Sequence, residues 1–169
     1  MQHSDFTEAK LFIYTDIERE IRLAYASERD DFKAAVQPFR IPPGGANFLA
    51  AMGLLSYTEF VGKLKYNEKK NGRDYASGNF NRFFDNLGLG YKQFRASCCP
   101  DVYNKFRCGL VHEYLPKATC DIHMVKKPDK PIGIGVERSG QYYFVVETYF
   151  EDFKRAFDQL EKDRYNVIT

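Results

Sequence analysis

The sequence predicts a mostly α, up-and-down bundle of about five helices with one small β-hairpin near 132–146. Three observations predict it. Apolar residues recur at three- and four-residue steps through several long segments, the spacing of helices with a buried face. A continuous apolar stretch, ANFLAAMGLLSYTEFVGKLKY (46–66), is too wrapped in hydrophobes to be a surface helix. Two β-favouring runs flank Ser139–Gly140, a hairpin signature. At 169 residues, 44% hydrophobic and 28% charged, the chain is sized for a single domain over 1–169 with a real core.

The first helix is expected to start around Asp5–Phe6–Thr7–Glu8, where an acidic cap precedes a Glu by three residues. Leu11, Ile13, Tyr14, Ile17, Ile21 and Ala24 carry its buried face, and the pattern persists, with a break, to about Val36. Pro38 and Pro42–Pro43–Gly44–Gly45 end it in a loop. The central helix follows, with Phe48, Leu49, Met52, Leu55, Tyr57, Phe60, Val61 and Leu64 spread around it. Glu59 lies inside this run, where a charge needs a partner or water. Residues 67–78 are polar and read as a loop. Phe80, Phe83, Phe84 and Leu87 predict a short helix stopping at Gly88, and Tyr91–Ser97 another. Asp101 stands ready to cap VYNKFRCGLVHEYL, which Pro116 ends. Residues 117–130 read as irregular, and Tyr149, Phe150, Phe153, Phe157 and Leu160 predict a last helix to about Lys162. With no Trp but 12 Tyr and 15 Phe, the core must be built of Phe and Tyr, and each buried Tyr hydroxyl needs a partner.

No stretch approaches the ~20 apolar residues of a membrane span. The opening MQHSDFTEAK has neither a basic nor an apolar leader region, so the expectation is a cytoplasmic chain without membrane attachment. In that compartment Cys98, Cys99, Cys108 and Cys120 are thiols or ligands rather than disulfides. The net charge of +2 hides an uneven distribution. Residues 61–130 hold 14 Lys/Arg against 7 Asp/Glu, while both flanks are acidic. Such an excess points to a polyanionic partner. Lys63, Lys65, Lys69, Lys70 and Arg73, interleaved with Tyr66 and Tyr75, are candidates to hold single-stranded RNA by charge and stacking, with Lys117 further along. A solvated loop is the alternative for any one of them. Gly133 and Gly135 do not extend to a dinucleotide fingerprint, because Arg138 stands where the third glycine belongs. Neither a nucleophile elbow nor a catalytic carboxylate pair is present in the sequence, and no cofactor is expected.

The chemistry concentrates in Arg107–Cys108–Gly109–Leu110–Val111–His112–Glu113–Tyr114. Arg is a permanent planar cation matched to phosphate oxygens, and His moves protons near neutral pH. Together they can split a phosphodiester. On an α-helix, five residues leave Arg107 and His112 about 140° apart around the axis. They therefore do not stack, though both can reach one cleft edge or a neighbouring subunit. Tyr103, Arg107 and Tyr114 share a face at steps of four and seven. A competing reading uses the same residues: Cys108, His112, Cys120 and His123 are four zinc-type ligands within sixteen residues. If they bind zinc, His112 is not free for catalysis.

The phrase FRCGLVHEYL, following a very apolar helix in a small helical chain, resembles the HEPN family (higher eukaryote and prokaryote nucleotide-binding domains), whose hallmark is Arg, four to six residues, then His. The family usually has a polar residue, commonly Asn, directly after the Arg, and here that position is Cys108. The resemblance implies a helical bundle, often a homodimer with motif helices facing across the axis. It also implies metal-independent ribonuclease activity, frequently in toxins or phage defence, with an antitoxin or other partner protein. Other members are inactive binding modules. By this resemblance Arg107 and His112 are the catalytic pair. Glu59 is the candidate acid that orients the motif, and Asn104 and Tyr114 support the cleft.

Overall fold

The computed structural model describes residues 1–40, 46–126 and 129–165. The Pro42–Gly45 loop and part of the irregular 117–130 segment lie outside these residues. The first predicted helix is α1 (His3–Ala26) followed, after a break at Ser27–Arg29, by α2 (Asp30–Val36) and a single 3₁₀ turn, Gln37–Phe39. α1 begins two residues before Asp5, whose carboxylate accepts a 3.2 Å bond from the Gln2 amide and so closes the first turn. α3 (Asn47–Tyr66) is the apolar central helix. The short helices are α4 (Ala76–Asn86) and α5 (Leu89–Ser97), and α6 (Val146–Tyr165) is the last. A further helix, Tyr103–Glu113, is wound as a π-helix rather than an α-helix.

α3 is buried because its neighbours surround it: α1, α4, α6 and the π-helix all pack on it. Ala50, Ala51, Leu54, Leu55, Thr58 and Val61 are each 1% exposed or less. Around them lies the predicted aromatic core, with Phe6, Phe80, Phe83, Phe84, Phe106, Phe153 and Phe157 all fully buried. The two most deeply buried tyrosines find partners for their hydroxyls. Tyr149 Oη lies 2.9 Å from the Thr58 hydroxyl. Tyr91 donates to Asp152 at 2.6 Å and accepts the Gly133 amide at 2.8 Å.

The predicted hairpin is β4 (Ile134–Val136) against β5 (Tyr142–Val145), antiparallel. Three strands appear where the sequence reads as loop or irregular. β3 (Cys120–His123) pairs parallel to β5, making the order β3-β5-β4. β1 (Lys69–Lys70) and β2 (Arg73–Asp74) form a minimal hairpin across Asn71–Gly72, both with positive φ (53° and 75°), as a tight two-residue turn requires. None of the described helices is long and apolar enough to cross a membrane.

Candidate active site

The π-winding changes the geometry of the motif. Hydrogen bonds from i to i+5 widen the helix to about 4.4 residues per turn, so five residues come back to within about 50° of the starting direction. Arg107 and His112 therefore lie on one face, and Arg107 Nη1 comes within 3.4 Å of His112 Nε2. This corrects the α-helical expectation of a wide separation.

Glu59 reaches the same place from the middle of α3. Its Oε2 lies 2.6 Å from Arg107 Nε, with the two side chains 22% and 16% exposed respectively. The N–H does not point along this contact, and both atoms are buried without a hydrogen-bond partner among the described residues. The pairing is therefore Coulombic. It holds the guanidinium at the helix surface while leaving Nη1 toward the imidazole. Tyr103 completes the cluster: Arg107 Cζ sits 5.6 Å over its ring. Burial first, and the Glu59 charge second, push the Tyr103 phenol up to about 12. It stays neutral at physiological pH, so its ring face can share the Arg107 charge without adding a second anion.

The helix is held from outside by its own return segment. Lys117 N donates to Lys105 O at 2.8 Å, folding Leu115–Lys117 back onto Gly109. A Cβ at Gly109 would meet Leu115 O at 2.7 Å and Lys117 N at 2.9 Å, so the loop lies where only glycine admits it.

The other expected residues divide. Asn104 is exposed and bonds Asp101 at 2.8 Å, a local contact at the helix start rather than a cleft contact. Tyr114 does not extend the Arg107 face. It ends the helix in the left-handed region (φ 59°) and lays its ring against Phe48. Lys117 pairs with Glu113 at 2.8 Å. Lys69 and Lys63 both pair with Asp74, and Lys70 lies over the Tyr75 ring at 5.3 Å. Arg82 covers Tyr66 at 4.0 Å. Much of the cationic cluster is thus engaged within its own hairpin.

The zinc-type tetrad is not assembled. Cys120 and His123 sit three apart on β3, a spacing that sends strand side chains to opposite faces. No three His, Cys, Asp or Glu groups gather as metal ligands among the described residues. Burial, with Asp121 nearby, raises the Cys120 thiol to about 12.

The sequence placed Tyr103 on the Arg107 face without giving it the role of a platform, and did not mark Gly109 as the contact that seats the return loop. Gly109 had no local signal, because its contact comes from a loop six to eight residues on. No protein-family profile, curated protein or solved structure matches the chain.

Proposed function

We propose that this chain is a HEPN-type endoribonuclease that cleaves single-stranded RNA without a metal ion. The observation that carries the reading is the 3.4 Å approach of Arg107 to an exposed His112, with Glu59 held against the far side of the guanidinium. His112 takes the proton of a ribose 2′-hydroxyl. The freed oxygen attacks phosphorus, the P–O5′ bond breaks, and the departing 5′-oxygen takes up a proton. Arg107 stabilises the charge that develops on the phosphoryl oxygens. The products are a 2′,3′-cyclic phosphate and a 5′-hydroxyl. One imidazole cannot be base and acid in the same step, so a symmetric second copy supplies the other. Glu59 is a positioning residue, acting through Arg107. The exposed hairpin residues Lys70 and Arg73, with Lys69 and Lys117, draw the strand in by charge. A role in a toxin or phage-defence system, restrained by an antitoxin or other partner protein, goes with this reading.

The test is single-stranded RNA incubated with purified protein in EDTA. Cleavage by wild type that vanishes in His112→Ala supports the proposal. Cleavage that needs added metal, or is indifferent to His112, removes it. One feature favours a second reading, a catalytically silent module: Cys108 occupies the position after Arg107 where the family usually has a polar group. RNA binding without turnover, unchanged in His112→Ala, selects that reading.

A further inference from the structure

Beyond His112 the π-helix runs into an exposed aromatic surface that neither the fold nor the proton transfer uses. Tyr114 is 58% exposed, and Leu49 and Leu115 are exposed beside it at 49% and 60%. The Phe48 ring lies 6.1 Å from that of Tyr114 with 20° between the planes. Beside them is a cavity of about 230 Å³ lined, among the described residues, by Ala46, Asn47, Phe48, Leu49, Tyr114 and Leu115, none of them charged. The backbone of Tyr114 is in the left-handed region at φ 59°, a conformation that bulky L-residues rarely adopt. A strained residue that presents an aromatic ring to water is a reason to look for a ligand.

Position says which ligand. Glu59 of α3 faces Arg107, and eleven residues earlier, about 16 Å along the same helix, Phe48 faces Tyr114. The aromatic groove and the Arg107–His112 pair thus share one α3–π-helix seam, with Tyr114 only two residues after His112. A phosphate bound at Arg107 places the next stretch of a nucleic-acid strand within reach of the groove. A lining of uncharged, mostly apolar described residues disfavours the phosphate and accepts the base. The cavity is smaller than the roughly 300–1,000 Å³ that takes drug-sized ligands, so it suits one ring system rather than a whole nucleotide. Three exposed side chains and a half-buried Phe are also far fewer than the 20–30 residues a side of an ordinary protein interface.

The geometry points to a nucleobase site: the Phe48–Tyr114 groove stacks one unpaired base of the RNA whose phosphodiester lies on Arg107 and His112. This rests on the ribonuclease reading for the identity of the strand. The probe is a 2′-O-methyl RNA oligonucleotide, uncleavable through the 2′-oxygen, with 2-aminopurine placed at successive positions. Stacking quenches its fluorescence. One position is quenched by wild type. Tyr114→Leu abolishes the quench and weakens binding about tenfold, as losing one stacked base does, whereas Tyr114→Phe keeps both. Leu49→Ser weakens the quench in the same way. No quenched position, or a quench and affinity untouched by Tyr114→Leu, overturns the proposal. So does a Tyr114→Leu change in sedimentation with RNA affinity intact, which makes the surface an interface between copies. His112-dependent cleavage of unmodified RNA without any quench sinks the base site and leaves the ribonuclease reading standing. A Tyr114-dependent quench without cleavage does the reverse.

Discussion

Two glycines inside helices, Gly53 in α3 and Gly109 in the π-helix, have opposite expected responses to alanine. A mid-helix Gly→Ala change ordinarily stabilises by about 0.5–1 kcal/mol, because the unfolded chain loses freedom it no longer has to give up. At Gly53 an added Cβ meets Ile17 Cδ1 and Tyr57 Cε2 at 3.5 Å, ordinary van der Waals contact with side-chain ends. Gly53→Ala should therefore stabilise by that amount. At Gly109 the Cβ meets Leu115 O at 2.7 Å, Lys117 N at 2.9 Å and the Pro116 Cα at 3.1 Å. These are backbone atoms, which cannot swing aside as a rotamer can. Overpacking costs about 1–3 kcal/mol, and contact with three backbone atoms puts this site near the top of that range. Less the ordinary gain, Gly109→Ala should destabilise by about 2–2.5 kcal/mol. For a chain of this length each kcal/mol moves the Tm by roughly 2–4 °C. Thermal unfolding should show Gly53→Ala about 1–4 °C above wild type and Gly109→Ala about 4–10 °C below it. Displacing the return loop also loosens the helix that pairs Arg107 with His112, so Gly109→Ala should lose the proposed RNA cleavage at temperatures where it remains folded. A Gly109→Ala protein as stable as Gly53→Ala would refute the packing of Leu115–Lys117 on the helix.

Other expectations follow from the same contacts. Glu59→Gln keeps the shape beside Arg107 but removes the counter-charge. On the proposed ribonuclease reading it should lower kcat about 10- to 100-fold with little change in KM, as misplacement of a catalytic group does, and a matching rise in KM would assign Glu59 to substrate binding instead. Burial pushes the Glu161 carboxyl up, but Lys10 (2.6 Å), His3 (3.1 Å) and Thr7 (3.2 Å) outweigh it and hold it below its ordinary range. A lowered folded value means that stability is present above the unfolded value of about 4.3 and is lost as pH falls through the folded one. Glu161→Gln should thus lower Tm at pH 7 and have little effect near pH 3; a pH-independent difference would contradict the charge pairing. Cys98 is exposed, whereas burial raises the thiols of Cys99 and Cys120. Iodoacetamide at pH 8, followed by mass spectrometry, should modify Cys98 first, and equal labelling of Cys120 would show that β3 opens.

The elements set by local pattern were legible in the residues. α3 follows from its apolar wrap, α6 from Tyr149, Phe150, Phe153, Phe157 and Leu160, and the β4–β5 hairpin from Ser139–Gly140. Three features were not. β3 depends on a parallel pairing with β5 twenty residues away, which Cys120–His123 alone does not announce. β1 and β2 do carry the Asn–Gly turn signal, but Lys69, Lys70, Arg73 and Asp74 lack the alternating apolar residues that usually accompany it. The π-winding is hidden for a geometric reason. Val102, Phe106 and Leu110, all buried, step by four. A step of four falls about 40° from a full turn in an α-helix and about 33° from one, on the other side, in a π-helix. The core pattern therefore fits both windings, and only the pair spaced by five tells them apart. The residues of the Arg107–His112–Glu59 cluster were readable as types; their convergence was not, because it needs the π-winding and a tertiary contact from α3.

The most direct test of the pairing of Arg107 with His112 as phosphodiester chemistry is mass spectrometry of the ends left on single-stranded RNA by the purified protein in EDTA. The expected ends are 2′,3′-cyclic phosphate and 5′-hydroxyl, absent with His112→Ala or Arg107→Ala and absent at a linkage whose ribose is replaced by 2′-deoxyribose. Ends bearing 3′-hydroxyl and 5′-phosphate, or cutting at the deoxy linkage, would contradict it.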